Sequence, residues 1–277
     1  MRSSLPRTFA VWSGVAIVLA WAITIGCTSF AGDSPVADDA QSPDAQSPDA
    51  QDGGGASDAA APFSCDHVEA AFCDDFENLP LGARWGPDAL QIDAGALTLV
   101  DGSTGASLYA LRSTVLDLGP VDGGKNGFAE LQHVQARDLS RPVIIVEADL
   151  RVDALADPGP GLVSAITLFF GDDRSLVFVL DANGYGALVP FRADAGPSID
   201  PQHIFSLPPT HTWFHLRIEA DLSAQVVSAY VDGALRVDKA SGVISTEAQY
   251  TVLAGAYAAP AHGPTDVSFD NFTITSR

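Results

Sequence analysis

Hydrophobic and polar side chains alternate with period two through much of the second half of this chain. In Val146-Glu-Ala-Asp-Leu-Arg-Val-Asp153 the even positions are Val, Ala, Leu and Val, and the odd positions are all charged. Phe214, Leu216, Ile218 and Ala220 alternate in the same way with His215, Arg217, Glu219 and Asp221. A period of two with one charged face predicts half-buried β-strands. Asn183-Gly184 separates apolar runs at 176–180 and 185–191, and Asp232-Gly233 separates 226–231 from 234–237. Both dipeptides accept the left-handed conformations of a tight hairpin. Further strands are predicted near 95–100, 106–111, 162–170, 250–257 and 266–275. Only 66–72 reads as helix, for about two turns. The run Phe128, Leu131, Val134 fits either a helix or a strand. Many strands without crossover helices predict an all-β fold, an antiparallel sandwich or jelly roll, over 63–277.

Ahead of that region the pattern changes twice. Arg2 and Arg7 precede an unbroken apolar run from Phe9 to Ile25, the charged-then-apolar order of a secretory signal. The run ends in Thr24-Ile25-Gly26-Cys27, which resembles the lipobox of bacterial lipoproteins. In that motif a small residue precedes a cysteine that is diacylated and becomes the mature N-terminus. Gly26 and Cys27 match it, whereas Thr24 stands where leucine is usual. Residues 1–27 are therefore expected to be a lipoprotein-type signal with Cys27 as the lipidation site. The alternative is an uncleaved span with Cys27 unmodified. Either anchor places the rest of the chain outside the inner membrane, in the periplasm or at the cell surface. Residues 28–62 hold seven aspartates and no Lys or Arg, and repeat Gln-Ser-Pro-Asp-Ala at 41–45 and 46–50. So little apolar surface does not offset ordering entropy, and the like charges and prolines favour an extended, disordered tether.

Charge narrows the partners. The 277-residue chain carries a net charge of −21. Loss of the leader, with its two arginines and no acid, leaves 12 basic against 35 acidic side chains, a net of −23. Such a surface repels phosphate backbones, which argues against nucleic acid and favours hard cations such as calcium. Of the three cysteines, Cys27 belongs to the leader. Cys65 and Cys73 remain as a pair, expected to close a short disulfide loop in an oxidising compartment.

Trp213-Phe-His-Leu-Arg-Ile-Glu-Ala-Asp221, followed by Ala229-Tyr-Val-Asp-Gly-Ala-Leu235, resembles a hairpin of laminin-G-like and concanavalin A-like domains. Phe72-Cys-Asp-Asp-Phe-Glu77 and Val267-Ser-Phe-Asp-Asn-Phe-Thr-Ile274 are similar to the first and last strands of that superfamily. The resemblance implies a concanavalin A-like jelly roll of two antiparallel sheets, one concave, with its ends side by side. It also implies one structural calcium ion shared by Asp75 and Asp270.

Catalytic constellations are sparse. Hydrolases of this fold carry Glu-x-Asp-x-x-Glu on one strand, because a retaining mechanism needs two carboxylates about 5 Å apart. The nearest match, Glu147-Ala-Asp149-Leu-Arg-Val152-Asp153, has valine where the second glutamate belongs and reads as the solvated face of a strand. His211 and His215 lack the glutamate and the helix of a zinc-protease motif, and no Gly-x-Ser-x-Gly is present. Trp85, Tyr109, Tyr185, Trp213, Tyr230 and Tyr257 are candidate sugar-stacking rings; Trp85, Trp213 and Tyr230 read better as packing residues. The sequence thus predicts a non-catalytic recognition module, binding glycan or protein at the cell envelope. The rival readings are a divergent polysaccharide hydrolase or lyase and an envelope spacer.

Overall fold

A computed structural model describes residues 63–103, 107–116, 126–155, 162–171, 173–192, 196–197, 203–241, 247–259 and 264–277. The leader, the tether and Cys27 lie outside the described residues. Within them, sixteen strands pair antiparallel into two sheets. The first sheet runs in the order β14 (Ala234–Ser241), β13 (Val226–Val231), β12 (Trp213–Asp221), β6 (Val143–Ala154), β16 (Thr265–Ser276), β4 (Ala110–Val115), β3 (Gly95–Val100). In addition, β1 (Phe72–Asp74) pairs with β16. The second runs β10 (Gly196–Pro197), β9 (Tyr185–Arg192), β8 (Arg174–Asp181), β7 (Leu162–Phe169), β15 (Gln249–Ala259), β5 (Gly127–Ala136), β2 (Leu90–Asp93). There, β11 (Ile204–Ser206) pairs with β9. This is the antiparallel jelly-roll sandwich that the alternation predicts.

The alternation fixes which side of each strand is buried. Ile144, Val146, Ala148, Leu150 and Val152 of β6 join Phe214, Leu216, Ile218 and Ala220 of β12 in the core between the sheets. Leu131, Ile166, Leu168, Phe178, Leu188, Val252 and Ala254 meet them from the second sheet. One polar stitch crosses this core. The fully buried Ser113 hydroxyl on β4 donates to the Ala129 carbonyl and accepts from the Ala256 N–H, so the hydroxyl is satisfied on the opposite sheet.

First and last strands do meet, with Phe72 opposite Ile274 and Asp74 opposite Phe272. Around that seam Phe72 packs edge-on to Trp85 at 4.9 Å, and Trp85 lies 5.1 Å from Phe272. The Trp85 indole N–H donates to the Asp74 carboxylate at 2.7 Å. Trp85 is therefore the packing residue its position predicts. The Phe128–Val134 run resolves as strand β5.

Two expected elements differ. The helix over 66–72 is only a 3-10 turn, Cys65–His67, after which the chain extends into β1. The cause is tertiary: the Ala71 N–H donates to the Ile274 carbonyl, and Cys73 is bonded to Cys65, so the segment must run along β16. The strand expected at 106–111 starts at Ala110. Just before it, the Leu108 and Tyr109 amides donate to the Glu77 carboxylate at 2.6 and 3.0 Å instead of to a ladder.

The Cys65–Cys73 bond, with a Cα separation of 5.6 Å, confirms the predicted pairing. Removing it in a Cys65→Ser, Cys73→Ser double variant is expected to lower unfolding stability by about 2.5 kcal/mol from loop-closure entropy. Urea denaturation of both forms measures this, and an unchanged midpoint would show that the loop is held by the Phe72 seam alone.

Candidate functional site

The outward faces of the two sheets differ in chemistry. On the first sheet, the odd-numbered acids of β6 lie beside β12 in register, with Asp149 opposite His215 and Glu147 opposite Arg217. His215 stands between both acids, Nδ1 2.9 Å from Asp149 and Nε2 3.7 Å from Glu147. The hydrogen-bonded Asp149 first, and then Glu147 paired beside the ring, raise its pKa to about 9, so it is a cation at neutral pH. Glu147 is lowered in return, first by His215 and then by Arg217, which reaches it at 3.0 Å. Burial pushes Asp149 upward, but His215, Asn271 and Ser103 outweigh it and hold the carboxyl below its usual range. Asn271 Nδ2 donates to Asp149 at 2.7 Å and the Ser103 hydroxyl at 3.1 Å. Asp153 accepts a two-pronged bond from Arg151 at 2.7 and 3.0 Å, and another from the Ser268 hydroxyl.

This network has the residue types of catalysis without its geometry. Ser103 and His215 both bond Asp149, rather than forming a relay from serine through histidine. A glycosidase pair needs one carboxyl kept protonated, whereas Glu147 and Asp149 are both held in the ionised form. The rings here are also engaged. The Arg151 guanidinium lies 4.8 Å over Trp213, and that of Arg217 lies 5.9 Å from Tyr230. Trp213 and Tyr230 therefore sit on the outer face under arginines, not in the core.

The predicted metal pair is placed but not joined by a shared partner. Asp270 is fully buried on β16 and accepts from the Ser103 amide at 2.7 Å and its neighbour Asn271 at 2.8 Å. Burial raises its pKa, so an unscreened anion there is disfavoured. Asp75 takes longer bonds from the Cys65 amide and Asn78, at 3.3 and 3.4 Å. The Ser103 and Ser107 side chains also hydrogen-bond Asp270, and Asp75 lies just after the disulfide loop. No group of three His, Cys, Asp or Glu side chains suited to a metal ion occurs among the described residues.

The second sheet presents a different face. Register places Phe128, Tyr257, Ser164 and Val179 in one outward row, and Gln132, Leu253, Thr167 and Val177 in another. Between them lies Glu130 opposite Gly255. The register then slips at Ala165, and Ala165 and Ile166 both join the core, so that row carries no outward side chain on β7, while Gln91 of β2 continues it beyond Glu130. The outward side-chain layer is therefore interrupted by a notch over Gly255. Gly255 has φ 147°, and a Cβ built there would lie 2.2 Å from the Ala129 carbonyl oxygen.

Hydrogen-bonding groups line this notch, some of them without a partner among the described residues. Glu130 is 4% exposed, and its carboxyl has no hydrogen-bond partner among the described residues. Burial alone pushes its pKa to about 8. The Tyr257 hydroxyl is buried without a partner, and its pKa is raised to about 12, by burial first and then by Glu130. The Ser164 and Thr167 hydroxyls face each other at a loose 3.4 Å, and the Phe128 ring stacks on Tyr257 at 6.3 Å. Perturbed titratable groups and unsatisfied polar atoms together mark a candidate binding site. Of its members, sequence analysis picked out only Tyr257. Glu130, Ser164 and Thr167 lie in strands whose faces are not cleanly alternating, so no local pattern singles them out.

No protein-family model matches the chain, and no curated protein matches it by sequence. Solved structures do. The chain is similar to the endo-β-1,4-glucuronan lyase of the fungus Trichoderma reesei, with a TM-score of 0.55 at 15% identity over 75% of this chain and 96% of that one. It is likewise similar to the cellulose induced protein Cip1, with a TM-score of 0.51 at 17% identity over 74% and 97%. At these identities the likeness is one of fold: the chain shares a jelly-roll β-sandwich with these proteins.

Proposed function

We propose that this chain is a glycan-recognition protein of the cell envelope, tethered outside the cytoplasm by Cys27 or by its apolar leader, and binding through the outer face of the second sheet. The carrying observation is the set of hydrogen-bonding groups around Gly255, namely the Tyr257 hydroxyl without a partner, the buried Glu130 carboxyl and the loosely paired Ser164 and Thr167 hydroxyls, beside the Phe128 ring. A sugar offers hydroxyls to such groups and an apolar ring face to an aromatic. The sandwich it shares with a glucuronan lyase supports the choice of glycan over an envelope protein as partner. Polysaccharide pull-down with the full chain in mild detergent tests the reading. Retention on at least one glycan, lost in a Tyr257→Phe, Thr167→Val double variant of unchanged melting temperature, is expected. Failure across a broad panel of glycans would remove it.

A lyase activity is the second reading, favoured by the same structural likeness and by a carboxyl kept protonated near neutral pH. Incubation with glucuronan and other polyuronates, followed by ultraviolet absorbance of unsaturated chain ends, separates the two. Recognition alone produces none.

On the metal, the proposal keeps one structural calcium ion, with Asp270 as its buried ligand and Asp75 as the second carboxylate. Calcium is then expected to raise the melting temperature of the chelator-treated protein, and Asp270→Asn to abolish that rise. A melting temperature indifferent to calcium would dismiss the ion.

A further inference from the structure

The rows around Gly255 carry a charge pattern as well as a shape. Among their described members, Phe128, Tyr257, Ser164, Val179, Glu130, Gln132, Leu253, Thr167 and Val177, no side chain is basic. A glycan built of uronic acids brings one carboxylate per sugar, and binding it in a water-poor site requires a cation or several donors for each. This notch offers the reverse. Its acids are the buried Glu130 and the exposed Asp93, which register sets opposite Phe128, and the whole chain is strongly negative. The groups that point into it are a carboxyl, a phenol and two hydroxyls. Each of these, when neutral, both donates and accepts, which is the hydrogen-bonding character of a sugar hydroxyl.

We infer that the notch takes an uncharged sugar residue and discriminates against uronates, with Glu130 and Tyr257 hydrogen-bonding to the sugar hydroxyls. The inference rests on the glycan-recognition reading and adds the chemical class of the ligand. It runs against the acidic polymer named for the glucuronan lyase of the same fold. The physical basis is an asymmetry: a neutral polyol offers partners to Glu130 and Tyr257, which have none among the described residues, whereas a uronate carboxylate would bring an anion to a water-poor site whose rows hold no basic side chain.

The experiment is binding of the full chain in mild detergent to two ladders of oligosaccharides of equal length. One ladder is neutral, covering gluco-, xylo- and manno-oligosaccharides; the other is oligoglucuronate. The expected result is a neutral oligosaccharide bound at least about tenfold more tightly than the glucuronate of equal length, the scale of one buried hydrogen bond to a charged group. Tyr257→Phe, which removes only the hydroxyl, is expected to weaken neutral binding by about fivefold to tenfold. Glu130→Leu, which removes the carboxyl, is expected to weaken neutral binding by about threefold to tenfold. Equal or tighter binding of the glucuronate overturns the inference, and so does wild-type affinity in Tyr257→Phe. If both ladders fail together with every other glycan, the glycan-recognition reading falls with it; if only the preference fails, that reading stands.

Discussion

Replacing Glu130 with glutamine is expected to stabilise the folded domain at neutral pH. The group is 4% exposed, and burial lifts its pKa from 4.5 to about 8. In the unfolded chain the carboxyl ionises near its ordinary value, whereas the folded chain keeps it protonated. The sign follows. Below about pH 4.5 both states hold the proton and the group costs nothing through ionisation. From there to about pH 8 the unfolded state gains from ionising and the folded state does not, so stability falls with rising pH; above about 8 the loss is complete. At pH 7 the difference amounts to roughly 3 kcal/mol as an upper figure. Glutamine has no such titration but leaves its own amide buried, so a gain of about 1–3 kcal/mol is expected. Urea unfolding of both proteins between pH 4 and 9 measures it. The two curves should converge at the acid end and diverge towards the alkaline end. Asp74 and Asp270, whose pKa values burial also raises, are common to both proteins and cancel in the difference. Tyr257 titrates far above this window. Parallel curves would mean that Glu130 is hydrated in solution. A site that destabilises its own fold is what a binding function, rather than packing, would retain.

Truncating Phe272 to alanine is the second large effect, and its sign is opposite. This ring is fully buried, lies 5.1 Å from Trp85 and 6.4 Å from Phe72, and belongs to the strand that carries β6 on one side and β1 and β4 on the other. Phe→Ala at such a site costs about 3–5 kcal/mol, since the lost transfer energy is joined by a cavity the two neighbouring rings do not close. In urea, tryptophan fluorescence should report a lower midpoint with an unchanged slope. A loss below about 1 kcal/mol would show that the seam between the first and last strands relaxes, and that the core is centred elsewhere.

The strands with one charged side were legible residue by residue. β6, β12 and the two hairpins follow from period two and from Asn183-Gly184 and Asp232-Gly233, because a half-buried strand must segregate its faces. The disulfide was legible too, since one cysteine fell in the leader and two remained. The second sheet was harder to read. The β7 run Val163, Ser164, Ala165, Ile166, Thr167, Leu168 breaks the alternation at a bulge, and β5 sets Glu130 next to Leu131 with helical and extended patterns equally satisfied. The two-turn helix at 66–72 failed because local pattern ignores a strand waiting alongside.

By itself the sequence determined the composition zones and the antiparallel sandwich, because segregation of faces, turn chemistry and charge are local properties carried by neighbours along the chain; the meeting of the two ends followed only from the resemblance. Tertiary structure alone decided which polar groups are satisfied. It joined Asp149 to His215 and Asn271, 66 and 122 residues away, and left the Tyr257 hydroxyl without a partner among the described residues beside the buried Glu130, where one glycine and one bulge interrupt the outward face. Hydrogen-bond satisfaction depends on which strands lie side by side. No spacing within a single strand encodes it.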